Sequence, residues 1–179
     1  MGLNDQIRAL SRVRSKVVTM KLRVGKYKGH SVGWVLLNHP EYIEWIQSES
    51  DFKRRSMIKA HDEVPHLIRK FNARPFKLKC QGMLIEATPK RCPSSATRCT
   101  VYRDNVFLMK WWCDTCDPYQ DGAGDGQLQI IRTFQDSVEH VRDCCNGHEK
   151  SFRHLVIELA KAKGLPDKAG ESEVTEFFR

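Results

Sequence analysis

The chain has 179 residues, of which 40% are hydrophobic and 29% are charged, a balance that suits one ordinary domain or two small ones sharing a core. No apolar run approaches the roughly 20 residues that a membrane span needs. The N-terminal stretch MGLNDQIRALSRVRSKVV also lacks the apolar run of a secretion signal. The composition therefore argues against a membrane protein and predicts a cytoplasmic one, in the host cytoplasm if the protein is viral.

The formal net charge of +8 is unevenly distributed. Residues 1–79 contain 17 Lys and Arg against 7 Asp and Glu, whereas residues 80–179 contain 13 against 15. A basic half joined to a near-neutral half indicates a surface that binds a polyanion such as nucleic acid. A solvated basic surface without a partner is the alternative.

The N-terminal half begins with a predicted helix over residues 4–16, followed by a predicted strand over residues 17–24. A glycine-rich turn, GKYKGHSVG, comes next. The stretch WVLLNHPEYIEWIQS predicts two short helices that break at Pro40, because proline suits a first helical turn and not an interior. Residues 51–72 predict a helix interrupted near Pro65.

The second half changes character after Pro75, where FKLKC, ATRCTVYR and NVFLMKWWC predict three short strands. A Gly- and Asp-rich loop, PYQDGAGDGQ, precedes two predicted helices, TFQDSVEHVRDCC and EKSFRHLVIELAKAKG, and a short helical tail, ESEVTEFFR. We therefore expect an α+β fold with a basic strand–turn–helix unit, a zinc-ribbon-like β middle and a C-terminal helical pair. The predicted domains are residues 1–74 and 75–179, packed as one compact body.

Seven cysteines is an odd number, which disfavours a disulfide framework and favours metal ligands in a reducing compartment. Cys113 and Cys116 form a CxxC directly after a predicted strand, as in a zinc knuckle. A redox CxxC is disfavoured because no βαβ pattern surrounds it. Cys80 and Cys92 are the preferred remaining ligands, with Cys99 as the substitute for Cys92.

The predicted ion is zinc, and its role is structural, because four thiolates leave no open coordination position for water. Cys144, Cys145 and His148 form a smaller cluster that we interpret as helix-end residues without a metal, since free cysteine is commonly a small buried hydrophobe. The aspartates between Asp114 and Asp125 leave a metal-dependent nuclease open as an alternative, although no complete catalytic constellation is visible.

The glycine turn combines positive charge with an aromatic ring. Lysines at such a turn can neutralise phosphates, and an aromatic ring can stack on an unpaired base. The candidate nucleic-acid-binding residues are Arg23, Lys26, Tyr27, Lys28, Arg54 and Arg55. Trp34, Tyr42, Ile43 and Trp45 recur at helical spacing, which favours core positions for them.

The stretch GKYKGHSVGWV…PEYIEWI resembles the C-terminal module of exodeoxyribonuclease X-like proteins from phages and bacteria. The matching positions are Gly25, Lys26, Tyr27, Gly29, Tyr42, Ile43 and Trp45, and Val24 stands where that module usually has phenylalanine. The resemblance covers about 25 residues and implies an accessory module that contacts DNA beside a nuclease. The spaced acidic motifs of that family's catalytic part are missing from this sequence.

Together these features predict a zinc-containing accessory protein that binds nucleic acid. DNA is the expected ligand, as single strands, ends or junctions, in replication, recombination or phage biology. A protein–protein adaptor is the second hypothesis, in which the zinc ribbon and the terminal Phe177 and Phe178 dock a partner protein. No catalytic residue is assigned.

Overall fold

The computed structural model describes residues 20–49, 55–84, 90–121, 124 and 126–179. Their helices are α1 (Val32–Asn38), α2 (Pro40–Ser48), α3 (Arg55–Ala73), α4 (Phe134–Cys144), α5 (Glu149–Ala162) and α6 (Glu171–Phe177). The strands are β1 (Met83–Leu84), β2 (Lys90–Arg91), β3 (Arg98–Tyr102), β4 (Asn105–Trp112) and β5 (Leu128–Ile131). Helices and small antiparallel sheets coexist, so the expected α+β class is confirmed.

Two antiparallel sheets form the β part. Strands β1 and β2 pair as a small hairpin, and β3 lies between β4 and β5 in a three-stranded sheet. One face of the larger sheet carries Cys99, Val101 and Ile131, all fully buried. This face packs toward α5, where the Phe107 ring lies 4.5 Å from the ring of His154.

One hydrophobic core joins residues from both halves of the chain, from Leu22 to Phe178. Phe71 of α3 lies at its centre with its ring edge toward Phe134 of α4 and Phe177 of α6, each 6.2 Å away. The core therefore crosses the predicted boundary between residues 74 and 75. A second, smaller cluster consists of the four cysteines of the predicted metal site together with Trp112.

Several predicted elements are confirmed by the structure. The break at Pro40 separates α1 from α2, with Pro40 in the first turn of α2. Helix α4 begins after Thr133, whose side chain accepts a hydrogen bond from the Asp136 amide in a capping box. Helix α5 ends at Ala162 just before Gly164, which has a φ of +101° that glycine adopts without strain.

Other predictions are wrong. Helix α3 runs through Pro65 without a break, because Val64, Leu67 and Phe71 on its buried face hold it against the core. Neither FKLKC nor the described end of the predicted strand over 17–24 forms a strand, and each contributes only an isolated β-bridge, at Lys79 and Lys21 respectively. Strand β5 was not predicted. The predicted helix over residues 4–16 lies outside the described residues.

No helix in the described ranges combines the length and the apolar character needed to cross a lipid bilayer.

Candidate metal centre and basic turn

The first half of the candidate metal centre is the hairpin that contains the β1–β2 pair, with Cys80 before it and Cys92 after it; we call it the metal hairpin. The Cys80 amide donates to the Ser94 carbonyl, and the Cys92 amide donates to the Gly82 carbonyl, each at 2.9 Å. These bonds place Cys80 and Cys92 on neighbouring strands of the hairpin. The two residues are 12 positions apart in sequence but lie side by side in the fold.

The second half is the CxxC turn directly after β4. The Gln81 amide donates to the Trp111 carbonyl at 2.8 Å, which attaches the hairpin to the end of β4. The Trp112 indole N–H donates to Thr100 Oγ1 at 2.8 Å and fixes the strand end from which the turn leaves. Cys113 and Cys116 therefore point toward the sulfur atoms of the hairpin.

The sulfur atoms of the four cysteines lie within 4.8 Å of one another, and all four side chains are buried. The Cys92 and Cys113 sulfurs are 3.8 Å apart. Sulfur–zinc bonds of about 2.3 Å in a tetrahedron require sulfur–sulfur separations of about 3.8 Å. The four residues are Cys80, Cys92, Cys113 and Cys116, and their arrangement can hold a metal ion.

Backbone amides around the cluster point at sulfur. The amides of Gly82 and Cys113 each lie 3.3 Å from Cys80 Sγ, and Thr115 Oγ1 lies 3.1 Å from Cys113 Sγ. Hydrogen bonds of this kind stabilise a thiolate over a thiol. The geometry therefore matches what a metal-bound sulfur requires.

Cys113 and Cys116 differ in the acidity of their thiols. A hydrogen bond from the Thr115 side chain, assisted by neighbouring amides, lowers the pKa of Cys113 to about 6. Burial, together with hydrogen bonds to the other three sulfurs, raises the pKa of Cys116. Four close sulfurs cannot all ionise readily without a compensating cation, and a divalent cation favours the thiolate at every one of them.

Gly82 leaves the space that the cluster needs. A Cβ atom at this position would lie 2.7 Å from Cys116 Sγ and 2.9 Å from Cys116 Cβ. The Arg98 guanidinium donates to the Cys116 carbonyl at 2.9 Å and braces the CxxC turn from the other side. Sequence inspection alone assigned no role to Arg98.

Cys99, the substitute ligand, is not part of the cluster. Its side chain is fully buried in the main core, with Sγ 3.5 Å from the Ile131 carbonyl oxygen. Burial raises the pKa of this thiol, as expected for a small hydrophobic side chain. The substitute is therefore wrong, because position 99 faces the opposite side of the sheet from the metal hairpin.

The other predicted clusters do not converge in the part of the chain that is described, where the four cysteines are the one group of three or more potential metal ligands. Cys145 Sγ lies 3.9 Å from His140 Nε2, and His148 precedes α5 without capping it through its side chain. Asp114 forms an ion pair with Arg132, and Asp117 accepts from the Tyr119 amide. Asp125 lies outside the described residues.

The basic turn, residues 22–30, is a tight loop closed by a short antiparallel ladder. The Leu22 amide donates to the His30 carbonyl, and the Gly29 amide donates to the Leu22 carbonyl, each at 2.8 Å. Gly25 and Gly29 have φ values of +86° and +96°, which glycine adopts far more readily than other residues. The ladder leaves the side chains of Arg23, Lys26 and Lys28 exposed.

Stacked rings support this turn from below. Tyr27 is only 8% exposed, and its ring stacks on His39 at 4.0 Å and meets the edge of Tyr42 at 4.9 Å. Gly25 is required here, since a Cβ would lie 2.5 Å from the Tyr42 hydroxyl. Tyr27 therefore offers no open ring face to a base, and the stacking role predicted for it is wrong.

The remaining aromatic residues of the motif divide between core and surface. Ile43 is fully buried and Trp45 is 43% exposed, so the core prediction holds for the first and fails for the second. Trp34 stacks on His30 at 3.9 Å. Arg55 is the first residue of α3, and Arg54 lies outside the described residues.

The C-terminal helix is attached to the start of α1. The Glu171 carboxylate accepts from Ser31 Oγ at 2.6 Å and lies 3.0 Å from His30 Nδ1. Phe177 and Phe178 are 4% and 0% exposed, so they belong to the protein's own core. The hypothesis that these two rings dock a partner is wrong, because α6 has already buried them.

Comparison with known proteins gave no match to a family model, to a curated protein or to a solved structure.

Proposed function

We propose that the protein holds a structural zinc ion at its cysteine cluster and binds nucleic acid as an accessory protein. The convergence of four buried sulfurs supports the first part. Thiolate ligands select soft or borderline metals, and a tetrahedral set of four is the usual structural zinc site. The residues that would hold the ion are Cys80, Cys92, Cys113 and Cys116.

The ion would take the place of a hydrophobic core in the metal hairpin. Apart from the cysteines, this cluster contains one fully buried aromatic side chain, Trp112, and the half-buried Leu84. Such a small apolar cluster cannot offset the entropy lost in ordering the hairpin. Zinc binding supplies that stability because the metal binds the folded arrangement.

The exposed cations of the basic turn carry the nucleic-acid part of the proposal. Arg23, Lys26 and Lys28 are exposed on one turn, and none forms an ion pair with an acid among the described residues. A cluster of uncompensated cations on a rigid loop is an electrostatic footprint for phosphates. Arg54 and Arg55 lie further along the sequence and remain proposed contacts.

DNA is the proposed ligand because the turn carries the Gly25-Lys26-Tyr27 pattern of the exodeoxyribonuclease X-like C-terminal module. The observed role of Tyr27 beneath the turn gives that pattern a physical reason, since the ring fixes the loop that displays Lys26. Single strands, ends or junctions are the proposed substrates, in replication, recombination or phage biology. The protein would act in the cytoplasm of its host.

Binding is tested by fluorescence anisotropy with labelled single-stranded DNA, duplex DNA and RNA at several salt concentrations. We expect affinity to fall steeply with salt, and the double variant Lys26→Glu, Lys28→Glu to weaken binding at least tenfold, because it reverses two phosphate contacts. The matched control is Lys90→Glu, Arg91→Glu, which reverses two exposed charges on β2 in the metal hairpin.

Binding that does not depend on salt, or that responds equally to both double variants, would contradict this assignment. Degradation of the probes on addition of Mg²⁺ would instead support the alternative of a metal-dependent nuclease.

A protein–protein adaptor is the second candidate, and one observation favours it. Leu108 and Ile130, on one face of the three-stranded sheet, are 56% and 45% exposed. Large apolar side chains on a sheet can form part of a protein interface. If the protein is an adaptor, the polar double variant Leu108→Ser, Ile130→Ser should abolish binding of the partner protein. If the first candidate is correct, the same variant should leave nucleic-acid affinity unchanged.

A further inference from the structure

A cavity of about 420 Å³ lies between α1, α5, the segment that connects α5 to α6, and α6 itself. Its apolar walls include Leu37, Leu165 and Val174, which belong to the buried core. The volume falls in the range of roughly 300–1,000 Å³ for pockets that hold small molecules. The cavity is therefore large enough for a group of nucleotide size.

Three cations line the same cavity, and two of them are uncompensated. Lys161 is paired with Glu158 at 2.7 Å and with Asp167 at 3.7 Å. Arg153 and Lys168 are exposed, and neither forms an ion pair within the described parts of the chain. The cavity thus combines apolar walls with two cations that can accept a phosphate.

Arg153 connects this cavity to the basic turn. Its guanidinium donates to Asn38 Oδ1 at 3.2 Å, and the next residue, His39, stacks on Tyr27 beneath the turn. Burial lowers the pKa of His39, and the positive charges of Arg153 and Lys26 act in the same direction. Arg153 binds the neighbour of His39, and Lys26 is the neighbour of Tyr27, so both cations adjoin the same Tyr27–His39 stack although 127 positions separate them in sequence.

Acidic residues border this surface, and their carboxylates contact polar side chains of the protein itself. Glu41 lies 3.4 Å from His39 Nδ1, and Glu171 is occupied by Ser31 and His30. A phosphate at Arg153 would consequently compete with a neutral amide, Asn38, and not with a carboxylate.

We propose that this cavity accepts one unpaired nucleotide of a nucleic-acid strand whose phosphates lie on the basic turn. The base would enter between the apolar walls, while Arg153 and Lys168 would hold its phosphate. Because the bases of a duplex are stacked and paired, only a single strand or a frayed end can supply such a nucleotide. The proposal rests on the proposed nucleic-acid-binding function and specifies its substrate.

The test compares three labelled DNA probes: a 12-nucleotide oligothymidine, a blunt hairpin whose strands are joined by a non-nucleotide linker so that it has no unpaired loop, and the same hairpin with a three-nucleotide overhang. The variants are Ala169→Phe, which fills the cavity from its lining, and Arg153→Gln. We expect each to weaken binding of the oligothymidine and the overhang roughly 5- to 150-fold, the range expected for losing one base contact. Binding of the blunt hairpin should stay unchanged.

Two further variants serve as controls, and a third is a second variant of the cavity. Arg103→Gln removes an exposed arginine on the β3–β4 turn, outside the cavity lining, and should leave all three affinities unchanged. Asn38→Ala removes the hydrogen bond to Arg153 but leaves the positive charge of Arg153 in place. If Arg153 has a purely structural role, Asn38→Ala should lower affinity for the unpaired probes as much as Arg153→Gln does. Lys168→Gln provides a second cavity variant should Ala169→Phe fail to fold.

The outcomes separate this inference from the function on which it rests. If Lys26→Glu, Lys28→Glu weakens all probes while the cavity variants change none, or change all three equally, the nucleotide pocket is wrong and the basic turn stands. If no probe binds the wild-type protein, both proposals are wrong. Selective loss with the unpaired probes supports the pocket.

Discussion

The metal hairpin and the basic turn are both small loops, but they relate in opposite ways to the core of the protein. In the hairpin the candidate ligand atoms, the four sulfurs, are themselves part of the buried cluster. In the turn the buried ring of Tyr27 stacks on the half-buried ring of His39, and the cations are separate, exposed side chains. We therefore expect a change to one sulfur of the hairpin to affect both metal binding and folding, whereas a change to one cation of the turn should affect ligand binding without affecting folding.

The largest expected effect is at the metal centre. Replacing one ligand, Cys113→Ser, should abolish stoichiometric metal binding and unfold the hairpin, because structural zinc contributes on the order of 10 kcal/mol to such sites. Metal content and near-ultraviolet circular dichroism measure the change. Cys99→Ala is the matched control: it removes a buried sulfur from the main core, and metal content should remain unchanged. Equal metal loss in both variants would contradict the assigned ligand set.

The next effect lies beneath the basic turn. Tyr27→Ala should lower the free energy of unfolding by about 3–5 kcal/mol, as for other buried aromatic side chains, whereas Tyr27→Phe should change it by less than about 1 kcal/mol. Chemical denaturation measures both. A Tyr27→Ala protein that is as stable as the wild type but has lost nucleic-acid binding would show that the ring contacts the ligand directly.

Gly82 tests whether the metal hairpin tolerates any crowding. The added methyl of Gly82→Ala meets Cys116 Sγ at 2.7 Å, whereas that of Gly124→Ala would be 3.8 Å from its nearest neighbour, Gln127. We expect Gly82→Ala to weaken metal affinity about 10- to 100-fold, since overpacking costs roughly 1–3 kcal/mol. Competition with a chromophoric chelator measures the affinities. Identical values for the two variants would mean that the sulfur cluster is looser than the structure shows.

The smallest effect concerns the attachment of α6 to the basic turn. Glu171→Gln retains an acceptor for Ser31 but loses the charge beside His30, and should cost about 1 kcal/mol. In a chain of this size that corresponds to a fall of about 2–4 °C in melting temperature. Glu139→Gln, an exposed change on α4, is the control and should not alter melting. Equal melting of the two variants would contradict the tethering role of Glu171.

Residue type explains why sequence inspection found the metal cluster more readily than its surroundings. Cysteine in a CxxC after a strand narrows the chemistry to a few possibilities, so Cys113 and Cys116 could be assigned from two positions. Cys92 and Cys99 could not be separated with certainty, because the choice depends on the β1–β2 pairing that turns Cys92 toward Cys80. Only the three-dimensional structure, through the pairing of β1 with β2, distinguishes Cys92 from Cys99 as the ligand candidate.

Elements with local signals were predicted well, and those formed by tertiary contact were not. The helix start at Thr133 and the stop at Gly164 are encoded in single residues. The passage of α3 through Pro65 depends on packing that outweighs a missing hydrogen bond. Arg153 could not be placed at the basic turn from sequence, since its proximity to His39 arises only when α5 packs on α1.

Elemental analysis of freshly purified protein, combined with chelation, tests the central claim most directly. The proposed site predicts close to one zinc ion per chain. Removal of the ion by a strong chelator should unfold the hairpin, and re-addition of zinc should refold it. Protein that contains no metal, and whose near-ultraviolet circular dichroism is unchanged by the chelator, would contradict the structural zinc site.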